Sequence, residues 1–383
     1  MNPGRRERIP RNRYAVSLPF SKGPRTRPPM PHRILALLAV AVLLNACTGR
    51  PTGGAAPSAA VAPPTAAVRP KPSEPVPPAV GKPGIADRGE VRAFALEMSR
   101  KHGFDAAELL RLFDQVPIEE SILEAMAKPY EAKPWSAYRK LFLTEKRIQG
   151  GREFKAANAK ALAEGGSRYG VAPEIITAII GIESSYGQNP GKYRVIDALS
   201  TLAFAYPKRA DFFRSELEQF LLLCREEGMP PLEPVGSYAG AMGMPQFMPS
   251  SYRKLAADGD HDGKRDIWNN PADAIASVAR YFATNGWRTG EPMASPATVA
   301  SHYSGSIGQN PKLTRTLGEL IQLGVTPEAR LPGQLKAAVL ELGRDQDSCC
   351  WVVFHNFSVI MRYNHSPLYA MAASELSQEL AAP

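Results

Sequence analysis

The segment APEIITAIIGIESSYG, residues 172–187, constrains the fold more than any other. It reads as a helix. Pro173 suits its first turn, where a missing backbone N–H has no helical partner to lose. Ile176, Ile179, Ile180 and Ile182 read as core. Glu183 comes four residues after Ile179, three after Ile180 and seven after Ile176, so it continues the apolar stripe. It also falls near the C-terminus, where the helix dipole is negative. Burial and that dipole both favour the protonated carboxyl, so both should raise its pKa. A carboxylic acid kept protonated near neutral pH can protonate a leaving oxygen. The plainer alternative is a glutamate at a helix end that turns to solvent or pairs with a distant arginine.

Two later stretches carry further chemistry. GSYAGAMGMPQFMPSSY, residues 236–252, removes side chains at Gly236, Gly240 and Gly243. A chain-like ligand could then approach the backbone. Ser237 and Gln246 add short polar groups beside Met and Phe, a mixed wall that suits sugars. The alternative is a glycine-rich turn packed on the core. The glycine spacing does not fit a dinucleotide loop, and no strand leads into it. DGDHDGKRDIWN, residues 258–269, has the spacing of an EF-hand calcium loop. Asp258, Asp260, Asp262 and Asp266 fall at positions 1, 3, 5 and 9, and Lys264 at position 7 can offer its carbonyl. Position 12 is Asn269 in place of a bidentate Glu, which should weaken the site. A structural Ca2+ is expected there, and no organic cofactor.

Around these motifs the pattern is mostly helical. VRAFALEMSRKHG and DAAELLRLFDQV read as helices broken at Gly103. Residues 134–170 read as further helices interrupted at Gly150-Gly151, and RADFFRSELEQFLLLCREEG as a helix closed by Gly228. In NNPADAIASVARYFATNGW, Asn270 can cap, Pro271 starts and Asn285-Gly286 ends a helix. AAVLEL, CWVVF and FSVIMRY read as short antiparallel strands, followed by a final helix after Ser366. The expected class is α+β, mainly helical, with a small antiparallel sheet in one domain over 89–383.

The N-terminal part belongs to targeting. Nine basic residues and one acid lie within residues 1–46, so that segment carries +8 of the net +9. The remainder is nearly neutral, which removes the support for a nucleic-acid partner. MPHRILALLAVAVLLNACTG has a basic start and a short apolar run, as signal peptides do. Residues 1–46 are therefore a signal segment, with Met30 an alternative start. LNAC, ending at Cys47, resembles a bacterial lipobox, whose cysteine is lipidated. The alternative is an ordinary signal peptide cut nearby. Thr48 after the cysteine favours the outer membrane. Residues 47–88 are rich in Pro and Ala and read as a tether. Beyond Cys47, the odd set Cys224, Cys349 and Cys350 does not make a disulfide framework. A bridge from Cys224 to one of the pair stays open.

Taken together, GIIGIESSYG, ALSTLAFAYPKRADFF, GSYAGAMGMPQFMPSSY, the calcium-like loop with DIWNNPADAIASVARYF, NGW and RYNHS resemble the membrane-bound lytic murein transglycosylase B family. The likeness runs from about residue 90 to 380. It implies a lysozyme-like fold. The implied activity cleaves the β-1,4 bond between N-acetylmuramic acid and N-acetylglucosamine in peptidoglycan and leaves 1,6-anhydromuramoyl ends. It further implies Glu183 as the single general acid, then base. Ser237, Gln246, Tyr138, Tyr363, Asn364 and Tyr369 would line the glycan cleft. Lys208 and Arg209 would meet the peptide stem, with Lys208 in place of a second Arg. The partners expected are peptidoglycan glycan strands, a membrane through lipidated Cys47, and cell-wall synthesis proteins. The expected location is the periplasmic face of the outer membrane. A muramidase that uses water and a non-catalytic wall-binding lipoprotein are the competing readings.

Overall fold

The computed structural model describes residues 82–127, 134–308, 310–345 and 348–382. The signal segment, Cys47 and the tether as far as residue 81 lie outside the described residues. Among the described residues, no helix is long and apolar enough to cross a membrane.

Helices α1 (Gly89–His102) and α2 (Ala106–Phe113) pair first, with Gly103 taking the left-handed turn (φ 67°) between them. They are followed by α3 (Glu120–Ala127), α4 (Trp135–Phe142), α5 (Glu145–Ala157) and α6 (Ala159–Tyr169). The isoleucine-rich segment that ends in Glu183 and Ser184 is α7 (Pro173–Ser184), buried from Ile175 onward. Its side chains pack into the largest apolar core, with α11 (Pro271–Thr284), α13 (His355–Tyr363) and α14 (Pro367–Ala381) around it. A second core gathers α1, α2, α8 (Val195–Ala205) and α9 (Ala210–Glu227).

Short strands β1 (Tyr193–Arg194) and β2 (Val235–Gly236) pair antiparallel and bring the glycine-rich loop to the end of α7. That loop runs into α10 (Pro249–Leu255), which packs on α9. The larger sheet comprises β3 (Ala294–Val299), β4 (Ile307–Gly308), β5 (Arg315–Thr316), β6 (Val325–Pro327), β7 (Lys336–Asp345) and β8 (Ser348–Val353). Its central pair is the expected antiparallel one, with Val339 opposite Val352 and Leu340 opposite Trp351. An edge pair, β4 with β7, runs parallel. Helix α12 (Leu317–Gln322) closes a small core under the sheet, starting from a capping box between Thr316 and Glu319.

Two local expectations are corrected. FSVIMRY is not a strand but most of α13. Phe357 and Ile360 are both fully buried, and their spacing of three is helical. Gly150-Gly151 does not break a helix but lies inside α5. The Tyr186 ring and Leu380 press directly on that face. A Cβ on Gly151 would sit 2.5 Å from both the Tyr186 hydroxyl and Leu380 Cδ2. The pair is glycine to admit a neighbour, and the helix tolerates it because packing outweighs propensity.

Candidate active site

Helix α7 ends as its caps dictate. Ser185, Tyr186 and Gly187 all take positive φ (50°, 61° and 84°), reversing the chain directly after Glu183 and Ser184. This reversal is braced from three sides. Ser184 Oγ donates to the Met244 carbonyl at 2.7 Å and accepts from Gly187 N–H at 3.0 Å. Tyr186 lays its ring over Gly181 and donates its hydroxyl to the Arg147 carbonyl at 2.8 Å. Arg147 in turn donates to Ser185 Oγ at 3.2 Å.

Glu183 is 7% exposed. Its pKa is pushed up to about 7, first by burial, against the lowering effect of a hydrogen bond from Tyr369. That bond runs from the phenol to Glu183 Oε1 at 2.6 Å. Tyr369 itself is held far above the ordinary tyrosine pKa by burial and by the Glu183 charge, so it is a fixed donor. It reaches the site because Ser366 caps α14 by accepting the Tyr369 N–H.

Two other residues expected from sequence, Tyr363 and Tyr138, gather here, and Asn364 follows Tyr363 in the chain. The Tyr363 hydroxyl donates to the Pro245 carbonyl at 2.6 Å, and burial plus the nearby Glu183 charge keep it protonated. Tyr138 is buried on α4, close enough to Tyr369 to disfavour its ionisation. Asn364 ends α13 beside Tyr363, its N–H bonded to the Ile360 carbonyl. Tyr281 joins them, with no signal in the sequence to mark it. Its ring centroid lies 4.5 Å from that of Tyr363, and its pKa is raised chiefly by burial, with a smaller contribution from the Glu183 charge. Its hydroxyl donates to the Arg362 carbonyl. In sequence it passes for one more apolar position of α11.

The glycine-rich loop packs against the residues that follow Glu183, but its glycines serve the protein's own packing. A Cβ on Gly236 would meet the Ala241 carbonyl at 2.3 Å, one on Gly240 the Leu199 side chain at 2.4 Å, and one on Gly243 the Ile267 carbonyl at 2.6 Å. They are not open backbone awaiting a ligand. Ser237 Oγ accepts from Ala241 N–H, and Gln246 Nε2 donates to the Pro190 and Gly243 carbonyls, both at 2.8 Å. These bonds fix the wall beside the carboxylate. Lys208 and Arg209 lie on the single 3-10 turn between α8 and α9. Arg209 stacks over Phe212, 4.3 Å from the ring centroid.

The acidic loop folds as a second unit. Single oxygens of Asp258, Asp260 and Asp262 all lie within 4.8 Å of one another. Hard carboxylate oxygens gathered in this way fit calcium, which takes oxygen ligands at about 2.3–2.6 Å. At the end of the loop, Asn269 Nδ2 donates to Asp266 Oδ2 at 3.1 Å. Asp273, not singled out from sequence, lies fully buried beneath the loop and accepts from Gly259 and Asp266 N–H, both at 2.7 Å. An acid in the first turn of α11 reads in sequence only as a favourable helix charge. The Cys224 thiol is free and buried.

Residues 86–378 match the family model described as transglycosylase SLT domain. Among curated proteins, the chain is 39% identical over 307 residues to membrane-bound lytic murein transglycosylase B of Escherichia coli (strain K12). The match covers 78% of this chain and 84% of that protein. Among solved structures it resembles the soluble lytic transglycosylase SltB1 of Pseudomonas aeruginosa. That likeness has 46% identity and a TM-score of 0.73, over 76% of this chain and 98% of the other. It also resembles the Escherichia coli lytic transglycosylase Slt35 in complex with calcium. Here identity is 39% and the TM-score 0.72, over 78% and 95% of the two chains. A buried glutamic acid held by a tyrosine in a lysozyme-like fold agrees with these likenesses. The chain belongs to the transglycosylase SLT domain family and is a lytic transglycosylase acting on peptidoglycan.

Proposed function

We propose that Glu183 is the only acid–base group of the reaction and cleaves the β-1,4 bond between N-acetylmuramic acid and N-acetylglucosamine. The observation that carries this is a carboxyl 7% exposed, with its pKa near 7, held by Tyr369. Protonated Glu183 donates to the glycosidic oxygen as the bond to muramoyl C1 breaks. The resulting carboxylate then takes the proton of the same sugar's C6 hydroxyl, and O6 closes on C1. The proton returns to Glu183, no water is consumed, and the end is 1,6-anhydromuramoyl. A pKa close to the working pH suits one group to both steps. The C6 hydroxyl is the nucleophile, so no second carboxylate is required, in contrast to two-carboxylate glycosidases.

Tyr138, Tyr363, Asn364, Tyr369, Ser237 and Gln246 would line the glycan cleft, and Lys208 with Arg209 would meet the peptide stem. Asp258, Asp260, Asp262, Asp266 and Asn269 would hold a Ca2+ that braces the fold, with Lys264 contributing its carbonyl. Residues 1–46 would direct export. Lipidated Cys47 would anchor the enzyme to the periplasmic face of the outer membrane, with the tether to residue 88 giving the catalytic domain its reach. Cell-wall synthesis proteins are the partner class this location suits.

Mass spectrometry of the products from purified sacculi tests the chemistry. Anhydro ends, lighter by one water than hydrolysed ends, are expected. Reducing ends would overturn the proposal in favour of a muramidase.

A further inference from the structure

Two adjacent residues, Ile267 and Trp268, grip the glycine-rich loop near both of its ends. The Trp268 indole N–H donates to the Val235 carbonyl at 2.8 Å, where β2 begins. The Ile267 carbonyl accepts from Met244 N–H at 2.9 Å, toward the other end. Ile267 is fully buried, and its carbonyl presses on Gly243 too closely for any Cβ there. Trp268 is itself held from behind. Its backbone N–H donates to Asp266 Oδ1 at 2.9 Å, and its ring centroid lies 5.8 Å from that of Tyr252. Asp266 N–H donates to the buried Asp273.

The opposite side of the same loop faces the catalytic elements. Ser184, the residue after Glu183, donates to the Met244 carbonyl, and Tyr363 donates to the Pro245 carbonyl. The Met244 side chain also lies against Gly187, where a Cβ would meet its Cγ at 3.2 Å. Met244 is thus held through its N–H by Ile267 and through its carbonyl by the turn that follows Glu183.

We propose that Trp268 is a positioning residue for Glu183, acting through the glycine-rich loop and not on the substrate. The inference rests on the reading of Glu183 as the acid–base group. With Val235 fixed by the indole and Met244 by Ile267, the loop has one resting place, against the reversed turn after Glu183. Releasing Val235 leaves a carbonyl without its donor and lets that wall move. Water then reaches the carboxyl. Burial is the largest cause of the raised Glu183 pKa, so a loosened wall should lower it toward the ordinary carboxylate value of 4.5.

Trp268→Phe in the full-length protein tests this, because it keeps an aromatic ring against Tyr252 and removes only the indole N–H. The readouts are the pH profile of anhydro-product release from sacculi and a carbon-13 titration of the Glu183 carboxyl, assigned by its absence in Glu183→Gln. The alkaline limb and the titration midpoint should both move down. A midpoint lowered from about 7 by about one pH unit would cut the rate at pH 7 about fivefold, since fewer molecules hold the proton. Tyr252→Phe is the control. It removes a different hydrogen bond of the same segment, from the Tyr252 hydroxyl to the Arg265 carbonyl, and should lower the melting temperature while leaving the limb in place. Gly243→Ala attacks the grip from the Ile267 end and should move the limb down as Trp268→Phe does, which keeps the test open should Trp268→Phe fail to fold. A limb that stays in place in the folded variants, or one that moves equally in Tyr252→Phe, would overturn the proposal. Wild-type activity in Glu183→Gln would instead strike the role of Glu183 itself, so the two failures are told apart.

Discussion

Tyr369 donates its hydroxyl to Glu183 Oε1 at 2.6 Å, joining the first turn of α14 to the last turn of α7 across 186 positions of sequence. The bond stabilises the carboxylate while burial opposes it, and burial wins, since the pKa rises to about 7. Tyr369→Phe removes only the lowering influence. The Glu183 pKa should rise further, and the alkaline limb of the pH–rate profile should move up, because the first step needs the protonated acid. The lost hydrogen bond should also reduce the rate about tenfold. A limb that stays in place or moves down would contradict this electrostatic account.

Glu183→Gln keeps the shape but can neither give nor take a proton. General acid–base catalysis typically contributes on the order of 100- to 10,000-fold. With one residue doing both jobs, the loss should reach the upper part of that range while sacculus binding persists. Stability should change in a defined direction. Between pH 4.5 and about 7 the folded state holds a proton that the unfolded chain releases, so wild-type stability falls as pH rises through that window. The Gln variant escapes this loss. It should be the more stable protein above pH 7, by on the order of 3 kcal/mol, with the gap closing toward pH 4.5. Denaturant melts at the two pH values measure it.

Gly181→Ala should damage the same site by packing alone. Its Cβ would lie 2.6 Å from the Tyr186 ring and hydroxyl. Overpacking of this kind costs about 1–3 kcal/mol. Tyr186 must shift, and with it the reversed turn that follows Glu183. A melting temperature and an activity both unchanged from wild type would show that the wedge is dispensable.

Millimolar calcium should raise the melting temperature, because a ligand of the folded state stabilises it by mass action. Asp258→Ala combined with Asp262→Ala should remove the response. Scanning calorimetry with and without chelator decides the matter. Identical curves for the wild-type protein would end the calcium assignment.

Cys47→Ser should release the protein from membranes without altering the anhydro products, because the tether separates anchor from catalytic domain. Fractionation of cells followed by acyl-chain detection is the measurement. An acylated, membrane-bound Ser variant would refute the lipobox reading.

Local pattern determined much of this protein. The burial of Glu183 was legible because periodicity links it to Ile176, Ile179 and Ile180 within two turns of one helix. The start of α11 was legible because Asn270 and Pro271 act on the next few backbone groups only. The gathering of Asp258, Asp260 and Asp262 followed from spacing within five residues. Tertiary structure decided what those residues meet. Nothing near Glu183 in the chain names Tyr369 as its partner or Tyr281 as a neighbour of Tyr363. Gly150 and Gly151 read as a helix break until the Tyr186 ring and Leu380 occupy the space they leave. Spacing marks the acids of the loop, but it gives no sign that Asp273, from the next helix, supports the loop from below. Periodicity, capping and loop spacing act over a few residues and survive in sequence. The choice of a distant partner is made by close packing, where the volume one segment leaves empty decides which side chain from another can fill it.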